Sequence, residues 1–244
     1  VRTTLITFLA MAVLGTQAHA AIIAVPVNIA PWALTPDLPA GQRGIYADLA
    51  DAVAARAKTR ITVTFVPYGR MLEGVRSGEF DYAFSIVSQG KAAAAPFTVI
   101  IAKAPMIAVA RKGLSLKTLA DMHHFAEVGQ LRGGSCGAEI DDDPAIHRVS
   151  QDSYELGIRK LAAGRLDGWC SIKAGFIYTL DKTDMAAKIG DQLDYGEVQV
   201  GMQVTRAKLD TAETKDVRAV IEGLLADGTV GRIFSRYVGK PYTP

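Results

Sequence analysis

The sequence predicts an α/β protein of two lobes, each a mostly parallel sheet flanked by helices, joined by two chain crossings. Three observations predict it. Strand-like and helix-like stretches alternate twice, before and after a long, nearly uncharged stretch at residues 95–110. A later alternating segment, EVQVGMQV, offers a return path. Two amphipathic stripes then follow, so the first lobe draws on both ends of the chain. A β-α-β-α-β order favours parallel strands covered by helices.

The elements follow in order. Residues 1–20 read as an export signal: Arg2, an apolar run from Leu5 to Leu14, then the small–x–small pattern Ala18-His19-Ala20. That run is shorter than the roughly 20 residues a bilayer span needs. The exported chain is expected to begin near Ala21 and to reside in a bacterial periplasm. Ile22 to Val27 reads as a buried strand, and Ile45, Leu49 and Val53 recur at helical spacing. Ile61, Val63 and Phe65 alternate with Thr62 and Thr64, the period of a half-exposed strand. GRMLEGVRSG reads as a helix stopped by Gly78, and DYAFSIV as a strand. Pro105 has no amide to donate, so one uninterrupted strand through 95–110 is not expected.

The second lobe begins with a short helix, SLKTLADM, and a strand, FAEVGQL. A glycine turn, RGGSCGAEIDDD, then opens a helix. SYELGIRKLAAG is helical and RLDGWCSI is a strand. Val217, Val220, Ile221, Leu224 and Leu225 form one closing stripe. Val230, Ile233, Phe234 and Tyr237 form the other, with Thr229 placed as its N-cap. The expected division is 21–102 with 201–244 as lobe 1, and 103–200 as lobe 2.

Composition excludes several classes. The chain carries 27 basic and 25 acidic residues without blocks of one sign, which argues against a nucleic-acid surface. RGGSCG lacks the Lys-Ser/Thr of a phosphate loop, and no G-x-S-x-G elbow is present. His123, His124 and His147, with Asp141 to Asp143, fit no compact metal spacing and are expected at the surface. No cofactor is expected. Cys136 and Cys170 are the only cysteines, and export favours a disulfide between them. A reactive thiol and two separate buried thiols remain open as readings.

Six motifs, in order behind the export signal, carry a resemblance. They are VNIAPWA, GIYADLADAVAAR, VPYGRMLEGVRSGEFDYAF, LADM with FAEVGQLRGGS, LAAGRLDGWC and LLADGTVGRIFSRYVG. Together they resemble the periplasmic solute-binding proteins of ABC importers, in the branch that carries polar amino acids and has the type 2 periplasmic binding fold. The resemblance implies a monomeric clamp that closes on a small ligand and presents it to an ABC permease in the inner membrane.

It also implies site residues. Trp32 would supply an aromatic wall, which can stack on planar groups or attract a cation. Arg70 would clamp a carboxylate through paired hydrogen bonds. Ser85 and Ser88 would supply hydroxyls. Lys91 stands where the family carries an arginine for the ligand's α-carboxylate, and a lysine cannot make the planar two-pronged contact. Ile172, or its neighbour Lys173, stands where the family carries an acid for the α-ammonium. Gly133 and Gly134 would let backbone approach the ligand, and Ser135 would offer an anion site near a helix start. Asp167 matches a family aspartate and reads as structural. Both departures at the zwitterion clamp favour an amino-acid-like compound or a small organic acid. The alternatives are a cyclohexadienyl-dehydratase-like enzyme on the same fold, with Glu139 as its acid, or a binding protein feeding a sensor.

Overall fold

The alternating first half of the chain builds three parallel strands with helices at their sides. The computed structural model describes residues 20–87 and 95–238. The expected export signal, Ser88 and Lys91 lie outside them. Strand β1 (Ala21–Pro26) pairs in parallel with β2 (Ile61–Val66), Ala21 opposite Ile61, and with β3 (Tyr82–Ile86). Helix α1 (Ile45–Arg56) follows β1, and α2 (Tyr68–Ser77) follows β2. Gly78 caps α2 in the left-handed region, where an L side chain would be strained, and stops it as its sequence predicts.

The first crossing is β4 (Phe97–Arg111), and it continues straight through Pro105. This corrects the expectation of a break. Pro105 faces Glu197 on one neighbour only, the pairing register shifts between Pro105 and Met106, and the second neighbour begins at Met106. A proline is tolerated at such a bulge on a locally open edge.

The second lobe holds β5 (Val128–Leu131), the short α3 (Ala138–Asp141), β6 (Arg148–Gln151), α4 (Tyr154–Ala162), β7 (Gly168–Ile172) and α5 (Lys173–Leu180). The return crossing β8 (Ile189–Val204) leads to α6 (Ala212–Ala226) and α7 (Thr229–Val238). The sheet order is β2-β1-β3-β8-β4-β7-β5-β6. Two parallel triplets, β2-β1-β3 and β7-β5-β6, are therefore joined by the antiparallel pair β8–β4. Those two strands have 16 and 15 residues. At about 3.3 Å per residue each runs roughly 50 Å, enough to belong to both lobes.

Several elements differ from expectation. The helix expected at SLKTLADM is a 3-10 turn from Leu119 to His124, with Thr118 and Asp121 forming a capping box. The strand β6, the helix α5 and the first half of β8 carry no clear period. Residues 189–198 of β8 pair with β4 alone, which leaves an open edge that tolerates charge. Thr229 is the first helical residue of α7 and not its N-cap. Gly228 precedes it, its carbonyl accepting the Arg232 amide at 3.0 Å, and the Asp227 carboxylate accepts the Thr229 amide at 2.9 Å. Cys136 and Cys170 form a disulfide with Cα atoms 5.4 Å apart, so both thiol readings fall.

Candidate functional site

A small cavity lies between the two lobes. Ile29, Trp32, Tyr46, Tyr68 and Ile86 line it from the first lobe. Leu131, Gly134, Ser135, Tyr154 and the run Cys170-Ser171-Ile172 line it from the second. It leaves about 30 Å³ to the centres of water-sized molecules, room for roughly two waters. An amino-acid-sized ligand therefore needs the lobes to part before they close around it.

The wall on the first lobe is built by one hairpin and one helix start. Ile29 and Ala33 exchange backbone hydrogen bonds at 2.8 Å, closing a tight turn around Trp32. The carbonyls of Pro31 and Trp32 accept the amides of Ile45 and Tyr46 at 3.0 and 2.7 Å. These amides open α1 and have no partner within the helix, so the loop satisfies them. The result seats Trp32 beside Tyr46, ring centroids 5.3 Å apart and tilted by 35°. The edge of Phe234 closes the other side at 5.9 Å. Trp32 is 3 % exposed, and its indole Nε1–H has no partner.

Two more tyrosines complete the aromatic lining, each the first residue of a helix: Tyr68 of α2 and Tyr154 of α4. Burial pushes the Tyr68 hydroxyl up to about 12, against a hydrogen bond with the Ile86 backbone. Burial also raises Tyr154, helped by neighbouring Tyr68 and opposed by a hydrogen bond with Ser171. Tyr46 rises for the same reason, with Tyr68 and Tyr154 adding to the effect. The three hydroxyls thus remain neutral at physiological pH.

On the second lobe, Gly133 (φ 74°) and Gly134 turn the chain after β5. Asp141 holds this turn. Its carboxylate accepts from the Ser135 hydroxyl, from the Cys136 amide at 3.1 Å and from Arg148 at 2.7 Å. The donors expected to hold a ligand anion are thereby spent on the protein's own aspartate, which the sequence reading left in solvent. The disulfide ties the same turn to β7, and Cys170 forms part of the cavity wall.

Of the residues expected at the site, Trp32, Gly134 and Ser135 meet at the cavity. Ser85 is buried beside it, its hydroxyl donating to the Ile86 carbonyl at 3.4 Å. Arg70 does not line the cavity: it is exposed and paired with Glu79 at 2.6 Å. Its helix presents Tyr68 instead, two residues earlier. Ile172 lines the cavity as an apolar residue, while Lys173 pairs outside with Asp194. Asp167 is structural, bonded to Arg111 at 2.7 Å and to the Ala126 amide at 2.8 Å. Tyr46, Tyr68, Tyr154 and Ser171 escaped sequence reading. Their signal was a tyrosine in the first turn of three helices, but nothing in the sequence says that these turns converge.

Among the described residues, no charged side chain lines the cavity, and no group of three or more His, Cys, Asp or Glu could hold a metal. No helix of the described residues is long and apolar enough to cross a membrane.

No curated protein sequence matches this chain. Solved structures similar to it include the arginine-, lysine-, histidine-binding protein ArtJ of Geobacillus stearothermophilus, at 16% identity and TM-score 0.74, covering 92% of this chain and 97% of that one. A histidine kinase sensor domain resembling periplasmic binding proteins has 14% identity and TM-score 0.75, covering 90% and 96%. The VFT2 domain of Bordetella pertussis BvgS, in its F375E/Q461E form, has 19% identity and TM-score 0.71, covering 89% and 93%. At such identities the likeness is one of fold, that of two-lobed periplasmic binding proteins. The model of the bacterial extracellular solute-binding proteins, family 3, matches residues 22–240, and the chain belongs to that family.

Proposed function

We propose that this protein captures a small polar ligand between its lobes, in the periplasm, and delivers it as a monomer to an ABC importer. The observation that carries this reading is the cavity lined from both lobes. Ligand sites favour such inter-lobe clefts. The lobes are 21–102 with 201–244, and 103–200. In support, the pairing of β3 with β8 ends at Val200 and that of β7 with β4 begins at Met106. Residues 1–20 serve as the export signal. The chain binds without catalysing, a reading supported by its solute-binding family and by binding proteins of the same fold.

Trp32, Gly134 and Ser135 contact the ligand, joined by Tyr46, Tyr68 and Tyr154. Ser85 supports this wall, and Ser88 and Lys91, outside the described residues, add ligand contacts. Arg70 orders the rim through Glu79. A second reading, a domain feeding a sensor, draws on the two sensor-domain structures of the same fold.

The test is a thermal-shift screen against amino acids, methylated amines, polyamines, organic acids and sugars, with small-angle scattering on any hit. A ligand at about 100 times its Kd should add roughly 2.7 kcal/mol and shrink the radius of gyration. No stabilising ligand in any class would end the capture reading. Loss of the hit's uptake on gene deletion supports the importer, and intact uptake with lost signalling supports the sensor.

A further inference from the structure

The geometry points to a ligand whose cationic end is fully N-methylated: a small quaternary ammonium compound that also carries a hydrogen-bond acceptor. This rests on the inter-lobe cavity being the ligand site.

Four aromatic residues, Trp32, Tyr46, Tyr68 and Tyr154, line the cavity from both lobes. Aromatic faces attract cations, most strongly when water is excluded. The nature of the cation follows from the remaining lining. A primary ammonium brings three N–H donors and needs acceptors for them. Ile172 lines the cavity as an apolar residue, and no carboxylate lines it among the described residues. The Ser171 hydroxyl is engaged by Trp169 at 2.9 Å and by the Ile172 carbonyl at 3.3 Å. The Ser135 hydroxyl is engaged by Asp141. The tyrosine hydroxyls remain to accept from a primary ammonium, but they carry no charge to offset its burial. A trimethylammonium group has no N–H, spreads its charge over methyl groups and contacts ring faces directly.

The acceptor follows from Trp32. Its Nε1–H is buried without a partner in a residue that lines the cavity, and a buried donor calls for an acceptor. The anion donors of the opposite turn are already taken by Asp141. One neutral indole donor suits one oxygen at the far end of the ligand.

The test is calorimetric titration of the purified protein with trimethylglycine, glycine, arginine and 3,3-dimethylbutanoate. The last has the shape of trimethylglycine without its positive charge. Trimethylglycine is expected to bind roughly 30-fold more tightly than each of the others, a size set by desolvated cation–π contacts. Equal or tighter binding of 3,3-dimethylbutanoate would reduce the site to an apolar pocket and overturn the proposal. Tighter binding of glycine or arginine would overturn it too. So would undetectable trimethylglycine binding, and a stabilising ligand of another class in the wider screen would then leave the capture reading standing. Tyr68→Leu, at a half-buried position, should weaken trimethylglycine about tenfold and leave 3,3-dimethylbutanoate unchanged; equal losses for both overturn the cation contact. Trp32→Phe should weaken trimethylglycine several-fold more than tetramethylammonium, which has no acceptor and loses only the stronger indole face; equal losses of both overturn the role of Nε1. Circular dichroism establishes that each variant is folded before titration.

Discussion

The Tyr237 hydroxyl donates to the Asp48 carboxylate at 2.7 Å, across 189 positions of chain. It also accepts the Gly44 amide at 3.0 Å, and Arg236 reaches the same carboxylate at 2.9 Å. The closing helix α7 is thus fastened to the start of α1, the turn that also holds Tyr46 against Trp32. Asp48 is 5 % exposed, so removing one of these partners leaves a buried carboxylate with fewer hydrogen bonds. Tyr237→Phe should cost about 1–2 kcal/mol, because it leaves a buried acceptor and an amide short of partners. Thermal melting should show this as a fall of roughly 2–8 °C. A melting temperature equal to wild type would deny the fastening.

The tyrosines set an alkaline limit. Burial is the main cause that pushes Tyr68 and Tyr237 up to about 12 from an ordinary 10.0. The folded chain then holds more protons than the unfolded chain between roughly pH 10 and 12, so stability falls as pH rises through that window. Denaturant titrations at rising pH should show a flat stability below this window and a loss within it. Tyr237→Phe should reduce that loss.

Asp167 sets part of the acid limit. Arg111 first, and then the Ala126 amide, hold its carboxyl below the ordinary 3.8. That stability is present above the ordinary value and is lost as pH falls below it. Asp167→Asn should cost about 1–2 kcal/mol at neutral pH and flatten the acid limb of a stability–pH profile. An acid limb as steep as wild type would contradict this account.

Gly133 is held by its backbone and not by space. A Cβ added there would stand at ordinary van der Waals distance, 3.4 Å from Leu72 Cδ1 and 3.5 Å from Tyr68 Cδ1, both in α2, while φ is 74°. Gly133→Ala should therefore destabilise by about 1–2 kcal/mol through the left-handed backbone. Denaturant titration should show this loss. Unchanged stability would show that the turn relaxes to another conformation.

The disulfide closes a sequence separation of 34. In the chain-entropy model the Cys136→Ala, Cys170→Ala double variant should lose about 3–4 kcal/mol. Because the bridge holds the Ser135 turn against β7, ligand affinity should fall as well. Unchanged affinity in the folded double variant would separate the bridge from the site.

Much of the fold was legible because burial imposes a period. Ile45, Leu49 and Val53 could only mark a helix face, Ile61, Val63 and Phe65 only a strand, and Gly78 only a stop. Where burial is one-sided or brief, the pattern failed: β6 has four residues, and the outer half of β8 leaves one edge open. Pro105 read as a breaker, because a sequence does not show which edge of a strand lacks a neighbour. Trp32 and Gly134-Ser135, picked out because their turns carry their own chemistry, do line the cavity. The charges at the ends of its helices were misread for want of partners: Arg70 went to Glu79 and Asp141 to Ser135. By itself, then, the sequence determined the elements, the family and the missing charge at Ile172, since these rest on local period and residue type. Only the tertiary structure decided that Tyr46, Tyr68 and Tyr154 meet Trp32 in one cavity, without a charged side chain among the described residues, because their meeting depends on two crossing strands folding distant helix starts together.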